Sequence, residues 1–173
     1  PQAVKALTHA FNYNDIDSLE QLFSRLPEQM AAVIMEPMNT TYPNEHFLQQ
    51  VQQLCQKHGT LLIFDETITG FRFSMGGAQQ LFGITPDLAT FGKGMANGYP
   101  ISAVVGRKDV MMLMEDIFFS GTFAGETLSL AATKATLTKM QQENVLKHIH
   151  DMGHKLLTGL EQLIDTYQTS SWL

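Results

Sequence analysis

The feature that most constrains this chain is a strand–helix–strand pattern between positions 31 and 65. Positions 31–35, Ala-Ala-Val-Ile-Met, form a compact apolar run that closes on Glu36-Pro37, where proline stops a ladder. Over 44–58, Phe47, Leu48, Val51, Leu54 and Cys55 recur at helical spacing while Gln49, Gln50, Gln52 and Gln53 face away. Gly59 then suits the helix's C-terminal end. An uninterrupted run, Thr60-Leu-Leu-Ile-Phe, follows and ends in Asp65-Glu66. Such runs typify parallel strands buried on both faces. The pattern predicts a βαβ unit with a right-handed crossover, in an α/β fold whose mostly parallel sheet is flanked by helices. Ligands of open α/β sheets bind outside the carboxyl ends of the strands, which sets Asp65 at a functional edge.

A second stretch, 85–100, reads Thr-Pro-Asp-Leu-Ala-Thr-Phe-Gly-Lys-Gly-Met-Ala-Asn-Gly-Tyr-Pro. Its apolar part, 87–91, predicts a short strand that ends in Lys93 between two glycines. Gly92 and Gly94 lack Cβ, so the backbone is free to turn sharply beside a bound group. Gly98 and Pro100 exclude a long helix. The spacing Gly92-x-Gly94-x-x-x-Gly98 is wrong for a dinucleotide fingerprint, and no Ser or Thr follows Lys93 as a P-loop requires. A solvated surface turn is one reading of Lys93. The other is a Schiff-base lysine for a carbonyl cofactor. Asp65 and Lys93 lie 93 − 65 = 28 residues apart, room for one crossover. An acid and an amine at neighbouring strand ends match the needs of pyridoxal 5'-phosphate: the lysine holds the aldehyde and the aspartate keeps the pyridine nitrogen protonated.

Two motifs carry a family resemblance. Leu62-Ile-Phe-Asp-Glu-Thr-Ile-Thr-Gly-Phe-Arg72 and the 85–100 stretch, in that order and spacing, resemble the class III pyridoxal-phosphate-dependent aminotransferases. The branch they are most similar to is the glutamate-1-semialdehyde 2,1-aminomutase-like one, and the match runs from about 31 to 132. The resemblance implies the fold type I, aspartate aminotransferase-like architecture, with Lys93 as catalytic lysine and Asp65 as pyridinium partner. It places Thr67 against the cofactor ring. It places Ile68 where many of these aminotransferases carry a glutamine bonded to the phenolic oxygen, and an apolar residue there fits the aminomutase branch. Thr122 matches the threonine that reaches the cofactor phosphate of the neighbouring subunit, which implies a homodimer with a shared site. The alternative for Thr122 is a cap on its own helix. The Glu36-Pro37 pair falls near the active-site edge, or is a plain strand terminus. Glu126 departs from the family, which has asparagine then proline there. A carboxylate at that place repels acidic substrates, leaving sugar-derived aldehyde or keto substrates equally open.

Family members are more than twice as long. The resemblance therefore predicts a fragment: 1–140 as part of the cofactor-binding large domain, and 141–173 as a helix leading toward a small C-terminal domain. The phosphate cup and ring-stacking aromatic fall before Pro1, and the fragment alone is expected to be inactive. The leading function is amino-group transfer to or within an aldehyde or keto substrate, with a small-molecule amino donor. The competing functions are a catalytically incomplete folding or assembly unit, and a decarboxylase or racemase of the same family.

The remaining stretches are less directive. Positions 4–13 show irregular β character. Asp17 or Ser18 is a candidate cap for a short helix over Leu19, Leu22, Phe23 and Leu26, ended by Pro27. After Asp65 the chain is irregular through Gly70, Gly76 and Gly77, a loop suited to function. Arg72 there is expected to make a structural ion pair, with Glu66 as the candidate partner, in preference to holding a substrate carboxylate or phosphate. Positions 101–106 predict a strand, 107–109 open a helix, and Met111, Met112 and Met114 are expected to pack. A helix is predicted over 126–140, lined by Leu128, Leu130, Ala131, Ala135 and Leu137, then a largely helical 141–163, and no pattern over 167–173. Cys55 is expected to be an inert core residue. His150 and His154 share a helical face, but without a third or fourth ligand no zinc site is expected. With 16% charged residues, a net charge of −6 and no basic aromatic stripe, nucleic acid is not an expected partner. No run is long enough to span a membrane. A single cysteine fits the reducing cytoplasm.

Overall fold

The computed structural model of the chain describes residues 1–168. It contains one four-stranded sheet in the order β1-β2-β3-β4: β1 (Ala32–Met35), β2 (Leu61–Asp65), β3 (Leu88–Phe91) and β4 (Ala103–Gly106). The first three strands are parallel and β4 runs antiparallel to β3. The mostly parallel sheet flanked by helices is therefore as the sequence predicts. Helix α3 (Phe47–Lys57) makes the crossover from β1 to β2, and α4 (Gly77–Phe82) lies between β2 and β3.

Burial alternates along the strands, with Val33, Met35, Leu62 and Phe64 buried and their neighbours partly open. That corrects the expectation of strands buried on both faces. On the buried face, α2 (Ile16–Arg25) and α3 contribute Leu19, Leu22, Phe23, Phe47, Val51 and Leu54 to one core with the strands. Cys55 belongs to that core at 1% exposed, and burial, with Asp87 nearby, pushes its thiol up to about 12. It is a core residue, as expected. On the other face Ile34 stays 61% exposed, because α2 and α3 both pack on the first.

Asp87 ties the sheet at its amino end. Its Oδ2 accepts from Leu62 N at 2.8 Å and its Oδ1 from Arg107 Nη1 at 2.6 Å, while Arg107 also pairs with Asp109. Gly106 has to be glycine, since a Cβ there would strike the Asp87 carbonyl oxygen and Leu88.

Several expectations shift. Over 4–13 there is no strand; α1 (Gln2–Ala6) is a short helix. Asp15 caps α2, accepting from Ser18 N at 3.1 Å, and Asp17 sits within the first turn. The 101–106 strand shortens to β4, and 107–115 forms α5 (Lys108–Met111) and a 3-10 turn. Met111 and Met114 are half-buried but Met112 is exposed. Helices α6 (Thr127–Gln142) and α7 (Val145–Tyr167) form where helices are predicted. Leu128 and Leu130 are nevertheless exposed, at 67% and 49%, because α6 touches the rest of the described chain chiefly at α7 and the Lys93 turn. The patternless tail expected from 167 lies, beyond Gln168, outside the described residues.

Candidate active site

The carboxyl ends of β2 and β3 build the candidate site. Their register pairs Asp65 with Thr90, so Lys93 stands three residues past Asp65's neighbour. Sequence separation and sheet topology together bring the two predicted residues to one edge.

Asp65 is half-buried. Its Oδ1 accepts from Thr67 N at 3.0 Å and from the Thr90 hydroxyl at 2.9 Å. Thr67 above all, with Thr90 and a smaller attraction from Lys93, holds this carboxyl below the usual carboxylate range against a weaker effect of burial. Asp65 is thus an ionised group with a fixed orientation.

Lys93 opens a 3-10 turn, Lys93–Met95, directly after β3. Its side chain is exposed and joins no ion pair among the described residues. Its φ is +39°, a left-handed conformation that costs a non-glycine residue about 1–3 kcal/mol. The flanking glycines were expected to supply the turn. In the structure Gly92 is extended at φ −171°, and a Cβ at Gly94 would come no nearer than 3.6 Å to the Gly70 carbonyl oxygen. Lys93 itself takes the unusual backbone, with Asn97 and Gly98 following it at positive φ.

The loop after Asp65 seats this turn. Thr67 Cγ2 would lie 3.6 Å from a Cβ at Gly92. Ile68 is 39% exposed. Gly70 packs under Phe91, where any Cβ would come within 2.5 Å of Phe91 Cδ1, and Phe71 meets the Phe91 ring at 5.5 Å between centroids. On the far side of the loop, the Arg72 carbonyl oxygen lies 3.0 Å from His150 Nε2 of α7.

Glu66, missed by the sequence reasoning, proves central. It is fully buried, and its carboxylate accepts from the Thr69 hydroxyl at 2.6 Å, Ala78 N at 2.7 Å and Gln79 N at 2.8 Å. The signal available in the sequence was a threonine three residues on and a glycine pair before an apolar turn. Because these neutral donors satisfy Glu66, the ion pair expected with Arg72 does not form, and Arg72 joins no salt bridge among the described residues.

Beside Asp65, one residue past the Met35–Phe64 pair, stands Glu36. It lines a cleft of about 390 Å³ with Phe11, Tyr13, Asn39 and Thr41. Its Oε2 is buried and has no partner among the described residues. The Tyr13 hydroxyl donates to the Pro37 carbonyl oxygen at 2.7 Å.

Thr122 is exposed, in a loop that carries exposed Phe118, Phe119 and Phe123. It does not cap α6. Glu126 does so, its two oxygens accepting from Leu128 N at 2.9 Å and Ser129 N at 2.6 Å. Ser129, then Leu128, hold the Glu126 carboxyl below its usual range. These hydrogen bonds orient the Glu126 carboxylate on its own helix and leave its charge in place. His150 and His154 gain no third ligand, and no group of three or more potential metal-ligating side chains occurs among the described residues. No described helix is long and apolar enough to cross a membrane.

Comparison with known proteins agrees with this geometry. Residues 3–171 match the family described as Aminotransferase class-III. A glutamate-1-semialdehyde 2,1-aminomutase of Syntrophobacter fumaroxidans is 40% identical over 169 residues, covering 94% of this chain and 39% of that protein. One from Alkaliphilus oremlandii is 43% identical over 159 residues, covering 87% of this chain and 38% of that one. The chain thus spans about two fifths of the length of these relatives. Among solved structures, the internal aldimine form of the Sphingopyxis FumI protein, with its pyridoxal phosphate, superposes with a TM-score of 0.87 at 30% identity, over 92% of this chain and 40% of that one. An omega-transaminase from Sphaerobacter thermophilus gives 0.85 at 30% identity, over 96% and 40%.

Proposed function

This chain belongs to the class III aminotransferases, and we propose that it carries the pyridoxal-phosphate site of an aminotransferase or aminomutase. The reaction class is amino-group transfer to or within a small aldehyde or keto substrate. The observation that supports this reading is the pairing at one sheet edge of an ionised, hydrogen-bonded Asp65 with the exposed amine of Lys93.

That donor set fits the cofactor. A free amine suits a carbonyl group, and a carboxylate held ionised suits a protonated ring nitrogen. When bound, the cofactor supplies an electron sink for charge that develops on the substrate carbon. Lys93 would hold the cofactor's carbonyl group through Nζ, and as a free amine the same Nζ would take a proton from the substrate carbon and return it as general base and acid. Asp65 keeps the proton on the ring nitrogen, and Thr67 and Thr90 fix the carboxylate for that task. Thr67 and Ile68 flank the site from the loop after β2, and Ile68 offers no hydrogen bond to a phenolic oxygen.

Thr122 reaches the phosphate of a partner subunit's site, making the active unit a homodimer. Its exposure, and the assignment of the α6 cap to Glu126, support this by removing the alternative role. Glu126 keeps its negative charge at the start of α6, so sugar-derived aldehyde or keto substrates stay as open to this site as an amino-acid semialdehyde. In this reading 1–140 belong to the cofactor-binding domain and 141–173 lead toward a smaller one. The 173-residue chain alone turns substrate over poorly, and the enzyme is cytoplasmic, in keeping with its one buried thiol.

Borohydride reduction of the complete polypeptide loaded with pyridoxal phosphate, followed by peptide mapping, tests the reading. Label is expected on Lys93. Label confined to Lys57 or Lys108 would remove Lys93 from the mechanism.

A further inference from the structure

We propose that Glu66 is a positioning residue for Lys93, acting through the loop 66–72. This rests on the reading of Lys93 as the cofactor-bearing amine. Lys93 sits in a left-handed conformation at φ +39°, and such strain persists only where the surroundings over-determine it. Here those surroundings are the loop after β2. Glu66 N donates to the Thr90 carbonyl oxygen at 2.9 Å, binding the loop to β3 just ahead of the turn. The Glu66 carbonyl oxygen accepts from Gly70 N at 2.8 Å. Gly70 in turn lies under Phe91, and its carbonyl oxygen would be 3.6 Å from a Cβ at Gly94. The loop therefore packs on Phe91 ahead of the lysine and passes near Gly94 after it.

The Glu66 side chain anchors that platform from beneath. It has no exposure to solvent, and its carboxylate gathers Thr69 of the loop and the first amides of α4. A buried carboxylate satisfied by three donors is rigid, because any movement leaves a charge unpaired. The fit is close enough that a Cβ at Gly77 would collide with the carboxylate. One side chain thus ties the loop, at Thr69, to the start of α4, at Ala78 and Gln79, while its backbone holds β3. Nothing in this arrangement reaches the reacting atoms, so Glu66 acts only through Lys93.

The experiment uses the complete polypeptide and reads each lysine separately. Apoprotein is mixed with pyridoxal phosphate, quenched with borohydride at intervals, and the label on Lys93 is compared with that on exposed Lys57 by mass spectrometry. Glu66→Gln removes the charge and turns one acceptor into a donor facing Gln79 N. It should slow labelling of Lys93 by about tenfold or more, the equivalent of one lost charge-assisted hydrogen bond, and leave Lys57 unchanged. Glu66→Asp should recover part of the rate. Thr69→Val removes a single donor and keeps the shape, so it should give a smaller, about threefold, slowing and remains informative should Glu66→Gln not fold. If the variants melt at lower temperature yet label Lys93 at the wild-type rate, Glu66 is merely structural and the inference is overturned. If wild-type protein labels other lysines and not Lys93, the parent reading and this inference fall together.

Discussion

Asp65→Asn separates what this residue does for the fold from what it does for the chemistry. In the structure one oxygen, Oδ1, accepts both from Thr67 N and from the Thr90 hydroxyl. Asparagine keeps an acceptor of the same shape at that place, so both hydrogen bonds survive as neutral ones. A hydrogen bond to a charged acceptor is worth about 1.5–3 kcal/mol and a neutral one about 0.5–1.5, a loss of about 1 kcal/mol for each bond. Asp65 is half-exposed, and solvent screening brings the total to about 1 kcal/mol. Asp65→Ala orphans both donors and should lose about 2–4 kcal/mol. Urea unfolding of the three proteins should rank them wild type, Asn, Ala. Turnover should rank them differently. Asparagine cannot stay ionised against a pyridinium, so Asp65→Asn should still bind cofactor measurably but fall by orders of magnitude in the rate of proton removal from the substrate carbon, read as a primary isotope effect in single-turnover kinetics. An Asn variant with wild-type turnover would refute the role of Asp65, whatever its stability.

Other outcomes follow from the same geometry. Lys93→Gly should be more stable than Lys93→Ala by about 1 kcal/mol, since only glycine relieves a φ of +39°; equal urea midpoints would mean that the turn is unstrained. Asp65, Glu126 and Asp151 are held below their usual ranges, and Arg107 pulls Asp109 down to about 2. Their contribution to stability is complete above the unfolded carboxylate values of about 4. It should drain away as pH falls from about 4.5 toward 2, and a flat urea midpoint across that range would contradict these depressed values. Full-length Lys93→Ala and Thr122→Ala proteins, each impaired alone, should recover activity on mixing, because one site of the heterodimer is free of both changes. Confirmed subunit exchange without recovery would return Thr122 to its own chain.

The parts of this fold that were legible are those fixed by local periodicity. The spacing of Phe47, Leu48, Val51 and Leu54 settled α3, and the apolar runs around Val33 and Leu62 settled two strands. What escaped was set at a distance. Helix α4 has six residues, Gly-Ala-Gln-Gln-Leu-Phe, with little intrinsic preference; it forms where Glu66, twelve residues earlier, receives its first amides. Asp17 and Ser18 were the expected caps for α2, and Asp15 takes the place instead. Asp15 prevails because Ser18 N donates to it while the Ser18 hydroxyl donates to its carbonyl oxygen. The placement of Lys93 and Asp65 at neighbouring strand ends was legible because residue type and strand position agree. The backbone of Lys93 was not, since the glycines on either side drew the argument to themselves.

Asp65 and Glu66 show why neighbouring carboxylates must be judged by direction and not by proximity in sequence. Successive residues at the end of a strand point to opposite faces. Asp65 turns toward Thr90 and the edge shared with Lys93, where it stays half-exposed and ionised. Glu66 turns into the protein and is consumed by Thr69 and the amides of α4. A one-residue shift in the register of β2 would exchange them. The buried donors would then lose their acceptor, and the sheet edge would lose its charge. Stability and the proposed chemistry therefore select the same register, the first through Glu66 and the second through Asp65.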